Sequence, residues 1–332
     1  MSVSVLIKTL NEAENIAATI ESVLAAIGPD DEIIVADSGS TDGTVEIAAR
    51  YRVAVVRIAE GEKPSCGLGP QLAFQYSRGD YLCLMDGDMR LDREFLGKAQ
   101  AFLLDNPKVA GVGGHVVEMN LENLEFARRK SRGGKELASG TVDRLNGGGL
   151  YRRTAIAEAG YLSDRNLHGY EEFDLGVRLR ALGWSLHRLD IPFVQHFGYR
   201  MNAYALLLRR WRSKYLRGVG EVLRAGLGKS HWNALWRDIR ELRLWGAVYV
   251  GLVLLLAILW IVPDKVLAIC ICLGAIAGVV LAMSAKHHSF KLGFYAVTAW
   301  LFMAAALPLG FFAPRRDPAA WIESQVVHDA RT

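Results

Sequence analysis

Cysteine is scarce in this chain: Cys66, Cys83, Cys270 and Cys272 are the four in 332 residues. Two stand 17 residues apart in one half and two lie inside an apolar run, so neither a disulfide framework nor zinc-ligand spacing is present. They fit a reducing compartment, where cysteine behaves as a small apolar residue. A signal peptide is not expected either, because Ser2–Ile7 runs straight into a polar, helix-forming segment. Nor does one sign of charge dominate, with 39 Lys and Arg against 35 Asp and Glu. That balance hides an asymmetry. Residues 200–243, from Arg200 to Arg243, hold 11 Lys and Arg and 3 acids, a surplus of +8, so the rest sums to −4. Apolar sequence follows this block directly, which makes anionic lipid head groups a simpler partner than nucleic acid.

The apolar runs themselves lack charge. Leu244–Val262, Val266–Ala285 and Leu292–Ala313 contain no Asp, Glu, Lys or Arg over 19, 20 and 22 residues. At about 1.5 Å per residue each can cross a hydrocarbon core of roughly 30 Å. Buried core helices would be shorter and more polar. Pro263-Asp264-Lys265 breaks the first two runs into a hairpin, and Trp245, Tyr249, Trp260 and Trp300 supply rings of the interfacial kind. Three membrane spans are therefore expected over about 244–262, 266–285 and 292–313. The basic block holds the preceding residues on the cytosolic face of the inner membrane, and Lys286 and Lys291 agree with that orientation. Arg315 and Arg316, in the tail 314–332, conflict with it after three crossings, so the side of the tail stays open. With no acid or base inside the spans, a solute pathway has little to work with.

The first 200 residues alternate strand and helix signals. Ser2–Ile7 reads as a strand, and Asn11 can N-cap the helix that follows, with Glu12 and Glu14 in its first turn. Ile16, Ile20, Val23, Leu24 and Ile27 recur at helical spacing until Gly28-Pro29. Glu32–Ala36 is a second strand closed by the polar turn Asp37–Thr44; a helix at Val45–Tyr51 and a strand at Val53–Ile58 follow. This is the βαβ pattern of a parallel sheet in an α/β domain. The apolar strand of residues 81–86 then delivers Asp86 and Asp88 to its carboxyl end, where α/β sheets bind ligands. Two adjacent carboxylates suit Mg²⁺ or Mn²⁺ carrying a phosphorylated substrate, although turns are rich in Asp for local reasons. Asp37, at the end of a buried strand, suits hydrogen bonds from a base or ribose; a helix-capping turn is the alternative, and Asp42 is assigned to capping.

Further on, Glu171-Glu172-Phe173-Asp174 opens a helix that Leu175, Val177, Leu179 and Leu182 continue to Gly183. A negative helix start is favourable by itself through the dipole, and it is also a rigid mount for a base. Arg178 and Arg180 are assigned to solvent. His196 follows the apolar strand Ile191–Val194, and Gly147-Gly148-Gly149 would let backbone approach a ligand closely. Residues 202–227 read as one amphipathic helix, with Leu208, Trp211, Tyr215, Val219 and Val222 on its apolar stripe and Arg209, Arg210, Arg212, Lys214, Arg217 and Arg224 elsewhere.

Three stretches taken together, Ser4–Glu12, Ile33–Thr44 and Gly79–Asp88, resemble family 2 glycosyltransferases of the GT-A fold, and Asn146–Arg153 and Gly169–Arg180 continue the likeness in order. The resemblance implies a nucleotide-sugar-binding domain with a Rossmann-like mixed sheet over 1–200, then a basic interfacial helix region over 201–243 and the transmembrane region 244–313. It places Thr9, Asn11, Glu12, Asp37, Gly69, Asp86, Gly87 and Gly148 at the donor, and Asp88, with Asp86 and His196, at a Mg²⁺ or Mn²⁺ ion. Glu172 is the expected catalytic base, followed by Glu171 and Asp174. The implied reaction is inverting transfer from a nucleoside-diphosphate sugar, UDP first, to a lipid-linked saccharide or glycolipid in cell-surface polysaccharide synthesis. The chain departs from the family in having Lys8-Thr9-Leu10 where a Pro is usual, Gly69-Pro70-Gln71 where an Arg-x-Asn-like stretch is usual, and Glu171-Glu172 for a Glu-Asp pair. Arg210-Trp211 resembles the end of the processive Gln-x-x-Arg-Trp motif, but Leu207 stands at the Gln position, so processivity is not supported. Two alternatives stay open: a polyprenyl-phosphate sugar synthase, and a non-catalytic nucleotide-sensing membrane scaffold.

Overall fold

Short β-branched runs cannot bury themselves alone, and in the computed structural model they pair into one mixed sheet; the structure describes residues 1–119, 138–198 and 201–331. Arg200 of the basic block lies outside the described residues. The parallel core is β1 (Val3–Thr9), β2 (Glu32–Asp37), β3 (Ala54–Ile58) and β4 (Tyr81–Asp86), in spatial order β3-β2-β1-β4. Helices α1 (Ile16–Leu24), α2 (Thr44–Ala48) and α3 (Leu68–Tyr76) make the crossovers. Beyond β4 the sheet turns mixed. There β5 (Met89–Leu91), β6 (Val109–Glu118), β8 (Gly149–Arg152) and β9 (Ser185–His196) run in the order β4-β8-β6-β9-β5, and β7 (Gly140–Val142) pairs with β9. Helices α4 (Phe95–Asp105), α5 (Arg153–Glu158) and α6 (Glu171–Ala181) complete this part.

Strands β1, β2 and β4 read as near-continuous apolar runs because both faces are covered. Val3, Val5 and Ile7 pack into one cluster with Ile16, Ile20 and Phe95, while Leu6, Ile34 and Leu82 face the opposite cluster with Leu68 and Leu72. The functional consequence is positional: β1, β2 and β4 end together, in register at Lys8↔Ala36 and Lys8↔Asp86.

The chain divides into two compact units, one of residues 1–203 with 314–332 and one of residues 204–313. The second holds α7 (Ala203–Arg212), a short 3-10 turn at Tyr215–Arg217, α8 (Gly218–Gly226), α9 (Trp232–Asp238), α10 (Glu241–Ile261), α11 (Lys265–Lys286) and α12 (Phe290–Phe311). The last three are long and apolar enough to cross a membrane. The tail belongs to the first unit: β10 (Ser324–Asp329) adds antiparallel to the edge strand β3.

Four local expectations are corrected. Asn11 does not cap α1; it sits at φ 58° and its Oδ1 accepts from the Thr41 amide at 2.9 Å, while the N-cap position is Asn15. The single helix expected over 202–227 is two helices, interrupted where Lys214 adopts φ 65°. Its apolar stripe is shifted accordingly: Leu206, Leu207, Leu216, Val219 and Val222 are buried, whereas Leu208 and Tyr215 are exposed. Arg178 is buried rather than solvated. It donates to Asp174 at 2.8 Å and to the carbonyls of Tyr161 and Leu162 at 2.8 and 3.1 Å, so the guanidinium is satisfied inside.

Candidate active site

The carboxyl ends of β1 and β4 and the amino end of α6 open on one cleft, lined by Lys8, Asp86, Gly148, Glu171 and Glu172 among others. Parallel strands that stop together leave their last side chains facing the crevice beyond. Helix α6 starts from Tyr170, which holds the left-handed conformation at φ 69°, costly for a bulky residue and a common mark of functional turns. Gly148, at φ 98°, lies so close to the Leu84 carbonyl that no side chain would fit, which brings the Gly147–Gly149 turn over the end of β4.

Lys8 is the centre of the charge arrangement. Its Nζ stands 3.2 Å from Asp86 Oδ1 and 3.0 Å from Glu171 Oε1, joining two acids far apart in sequence. Burial works against its charge, yet Asp86 and Glu171 hold its pKa well above the usual lysine value. Asp86 is itself raised, by burial first and then by Asp88 and Glu171, with Lys8 opposing. Glu172 takes one hydrogen bond from the Gly147 amide at 3.0 Å. Burial, then the Glu171 charge, pushes its carboxyl up to about 7, against the pull of Lys8. Of the pair, Glu171 is therefore ion-paired and Glu172 is poised near neutrality.

Asp88 differs from Asp86. Its side chain is 10% exposed against 37% for Asp86. Oδ2 lies 3.2 Å from His196 Nε2, and His196 Nδ1 lies 2.7 Å from Glu118 Oε2. Burial alone would lower the imidazole pKa; the hydrogen bonds with Asp88 and Glu118 instead push it up to about 10. His196, expected among the metal ligands, thus links Asp88 to Glu118 through its two ring nitrogens. Asp88 Oδ1 is buried and has no hydrogen-bond partner among the described residues. A buried carboxylate oxygen without a donor is costly, and a hard divalent cation is the kind of group that satisfies it. No ready set of three or more His, Cys, Asp or Glu ligands exists among the described residues. The fit is thus to a cation held by few carboxylates and completed by substrate oxygens or water, which is the habit of Mg²⁺.

The other expected residues fall into two groups. Near the cleft, the Gly87 amide donates to the Lys8 carbonyl at 3.0 Å and its carbonyl accepts from Thr19 at 2.8 Å, fixing the Asp86–Asp88 turn. Gly69 lies in α3, where an added Cβ would come 2.8 Å from Lys8 Cβ, so its smallness lets the helix approach β1. Asn11, Glu12 and Asp42 tie the β1 turn to the β2 turn: the Glu12 amide donates to Thr44 Oγ1 at 2.9 Å and the Ala13 amide to Asp42 at 3.0 Å. Away from open solvent, Asp37 is fully buried. It accepts from the Gly39 and Ser40 amides at 3.0 Å each, faces Thr9 Oγ1 at 3.4 Å, and pairs with Arg57 at 3.4 Å. The expected contact with a base or ribose is not available to a carboxylate so enclosed; Asp37 builds the turn instead. Asp174 is likewise buried and ion-paired with Arg178, which removes it from the cleft.

Sequence reasoning missed Lys8, Glu118 and Gln71. Gln71 is buried, and its Oε1 accepts from the amides of Leu162 and Ser163 at 3.0 and 3.1 Å, fixing a loop that lines the cleft. Lys8 had a signal, a charge at the end of an apolar strand where the family has a Pro. Glu118 had none, being 78 residues from His196 in an unremarkable strand end.

Comparison with known proteins bears on the family and the fold. Residues 4–160 match the family model described as Glycosyl transferase family 2. The succinoglycan biosynthesis protein ExoA of Rhizobium meliloti is 24% identical over 283 residues, 74% of this chain and 83% of that protein. The glycosyltransferase AglE of Haloferax volcanii is 30% identical over 129 residues, but that covers only 37% of this chain and 40% of AglE. Among solved structures, the mannosyltransferase PcManGT from Pyrobaculum calidifontis, in complex with GDP-Man and Mn²⁺, aligns over 93% of this chain and 87% of its own. The TM-score is 0.61 at 18% identity. S. aureus TarS 1–349 with UDP-GlcNAc gives 0.52 at 17% identity, over 69% of this chain and 68% of its own. At such identities the structural likeness speaks for the GT-A fold.

Proposed function

In residues 4–160 the chain belongs to glycosyltransferase family 2, and from that premise we propose a metal-dependent, inverting transfer of a sugar from a nucleoside diphosphate to an acceptor hydroxyl at a membrane surface. The observation that carries this reading is the meeting of Asp86 with the distant acid pair Glu171 and Glu172 at one cleft around Lys8, with Asp88 two residues on from Asp86 and held by His196.

Glu172 is the assigned base. With a carboxyl near pH 7 it takes the proton as the acceptor hydroxyl attacks, and the Gly147 amide fixes its orientation. Glu171, held by Lys8, keeps a negative neighbour that raises the basicity of Glu172. A single base opposite the leaving group gives one displacement and inversion. Asp88, through Oδ1, and Asp86 are the residues that would hold Mg²⁺ or Mn²⁺. A cation there, when bound, offsets charge gathering on the leaving diphosphate. His196 and Glu118 orient Asp88 rather than touch substrate. Nucleotide sugars in two structural neighbours and metal in one support the donor class; UDP is assigned from the family resemblance. The helices of residues 204–313 support a lipid-linked saccharide or glycolipid acceptor, used at the cytosolic face of the inner membrane, and the likeness to ExoA supports a place in polysaccharide synthesis.

The test is full-length protein in detergent with UDP-, GDP- and dTDP-sugars, with and without Mg²⁺ or Mn²⁺, reading release of the nucleoside diphosphate. Metal-dependent release from one donor, absent in Asp88→Ala, is the expected result. Wild-type turnover in both Asp88→Ala and Glu172→Gln would overturn the assignment. Loss in Asp88→Ala alone would instead indicate an acceptor already anionic, such as a polyprenyl phosphate.

A further inference from the structure

Both ends of residues 204–313 join the same folded unit. The tail that follows α12 is built into that unit. In it, β10 pairs with β3 from Ser324↔Ile58 to Asp329↔Ala54, and Ile322 is fully buried in the cluster with Leu68 and Leu72. Arg315 pairs with the buried Asp164, Arg316 with Glu62 at 2.7 Å, and Arg331 with Glu32 at 2.9 Å. A bilayer cannot separate strands of one hydrogen-bonded sheet, so the intervening segment crosses it an even number of times. Yet three of its helices are long and apolar enough to cross.

We propose that α10 and α11 cross as a hairpin and that α12 does not, lying with α7 and α8 in the interfacial layer on the sheet's side of the membrane. Helix α12 is the least apolar of the three and the most buried within the protein. From Tyr295 to Gly310 it runs beside α7–α8 in the same direction. Tyr204 meets Tyr295 with ring centroids 5.2 Å apart, and Trp211 meets Phe302 at 5.4 Å. Further along, Gly220 lies against the Leu307 carbonyl and Gly310 against the Arg217 carbonyl, too close for any side chain. The segment that α12 follows carries Arg209, Arg210, Arg212, Lys214 and Arg217. Five cations do not sit at bilayer mid-depth, so the helix packed along them stays at head-group depth, where anionic lipid phosphates match their charge. Helix α12 exposes Phe294, Leu301 and Leu309 on one part of its surface, whereas α10 and α11, less buried within the protein, expose Leu254, Leu256, Leu273 and Leu281 among others, side chains suited to acyl chains. Lys286 and Lys291, at the α11–α12 turn, then face the sheet's side, as the positive-inside rule asks.

Single cysteines in the full chain, labelled with a membrane-impermeant maleimide from either face of oriented vesicles, test this. Wild type gives the background and Lys63→Cys, on an exposed turn of the first unit, marks the sheet's side. Pro263→Cys, with Val262→Cys as an independent reporter, should label from the opposite face; His287→Cys and a cysteine appended after Thr332 should label with Lys63→Cys. An appended cysteine reacting from the opposite face means three crossings and overturns the proposal. His287→Cys opposite with Pro263→Cys on the sheet's side makes α10 the helix that stays, and also overturns it. All four on one side would mean that no helix crosses, with the same consequence.

Discussion

Asp86 and Asp88 close a strand, Glu171 and Glu172 open a helix, and the protein treats the two pairs by one scheme with different outcomes. Lys8 neutralises one member of each, Asp86 and Glu171. The second members are left to weaker company. Asp88 is held on one oxygen by His196 and keeps the other unpartnered among the described residues; Glu172 has the Gly147 amide and no paired cation among them. A single half-buried cation shared between pairs therefore splits each into a satisfied acid and an available one. The available acid at the strand end has an oxygen without a partner among the described residues, which suits a metal. At the helix start, burial and a charged neighbour push the available acid up to about 7, the range the proposed base needs.

Breaking the available members separates the two roles. Glu172→Gln should lower kcat by about 10²–10⁴-fold, the range for removing a general base, with donor KM little changed; Glu171→Gln should cost less. Steady-state kinetics with a hydroxyl acceptor reads both. Asp88→Ala should lose on the order of 10²–10³ in turnover, as when one electrostatic contact to the leaving group is removed, and should raise the Mn²⁺ concentration needed for half activity. Asp86→Ala, if the asymmetry is real, loses less than Asp88→Ala. Equal losses from both Asp substitutions would dissolve the contrast.

The clamp behind Asp88 comes next in size. His196→Asn or Glu118→Gln should weaken metal affinity by about 10–100-fold, the usual cost of removing an outer-shell partner. Saturating Mn²⁺ should restore turnover in these variants and not in Asp88→Ala.

A pH profile sharpens the Glu172 half of the comparison. The base must be ionised, so the rate should fall as pH drops through about 7. Lys8 lowers the Glu172 pKa, hence Lys8→Met should move that acid limb to higher pH. Stability carries the opposite sign to the usual paired carboxylate. Because the folded pKa is raised, the folded state holds its proton through a window where the unfolded chain has lost it, and stability declines as pH rises from about 4.5 to about 7. Glu172→Gln should therefore raise the melting temperature at pH 8 and leave it unchanged at pH 4.

How much of this was readable depended on how local each interaction is. Strands β1 to β4 and their crossovers follow from short apolar runs and turns, and the Asp86–Asp88 turn announced itself at the end of one of them. Asp174 and Arg178 were also within reach, since acids and bases four apart on a helix meet. The environment of each acid was not. Lys8 reaches Glu171 across 163 residues, and His196 reaches Glu118 across 78; neither spacing has a periodic signature. Asp37 looked available because a strand end is where ligands bind, but the turn it opens folds back on its own carboxylate. Strand β10 was illegible for another reason: Ser-Gln-Val-Val-His-Asp is a weak strand run, and its partner β3 lies far earlier in the chain.

The same tail supplies the smallest of the expected effects and connects the comparison to the rest of the molecule. Arg315 pairs with Asp164, whose side chain is fully buried and whose other oxygen accepts from the Asn166 amide at 2.9 Å. Arg316 bonds Asn166 through its own amide and carbonyl, at 2.8 and 2.9 Å. Residues 164–166 follow directly from Leu162 and Ser163, which Gln71 fixes and which line the cleft beside Glu171 and Glu172. Arg315→Ala leaves a buried carboxylate short of its cation, which costs about 3 kcal/mol at most for a pair whose Arg is 20% exposed. The melting temperature should drop by several degrees. If the tail also steadies the Glu172 side of the cleft, kcat falls a few-fold while metal affinity holds, the reverse of the His196→Asn pattern. A loss of metal affinity in Arg315→Ala would mean that the two acid pairs are not held independently.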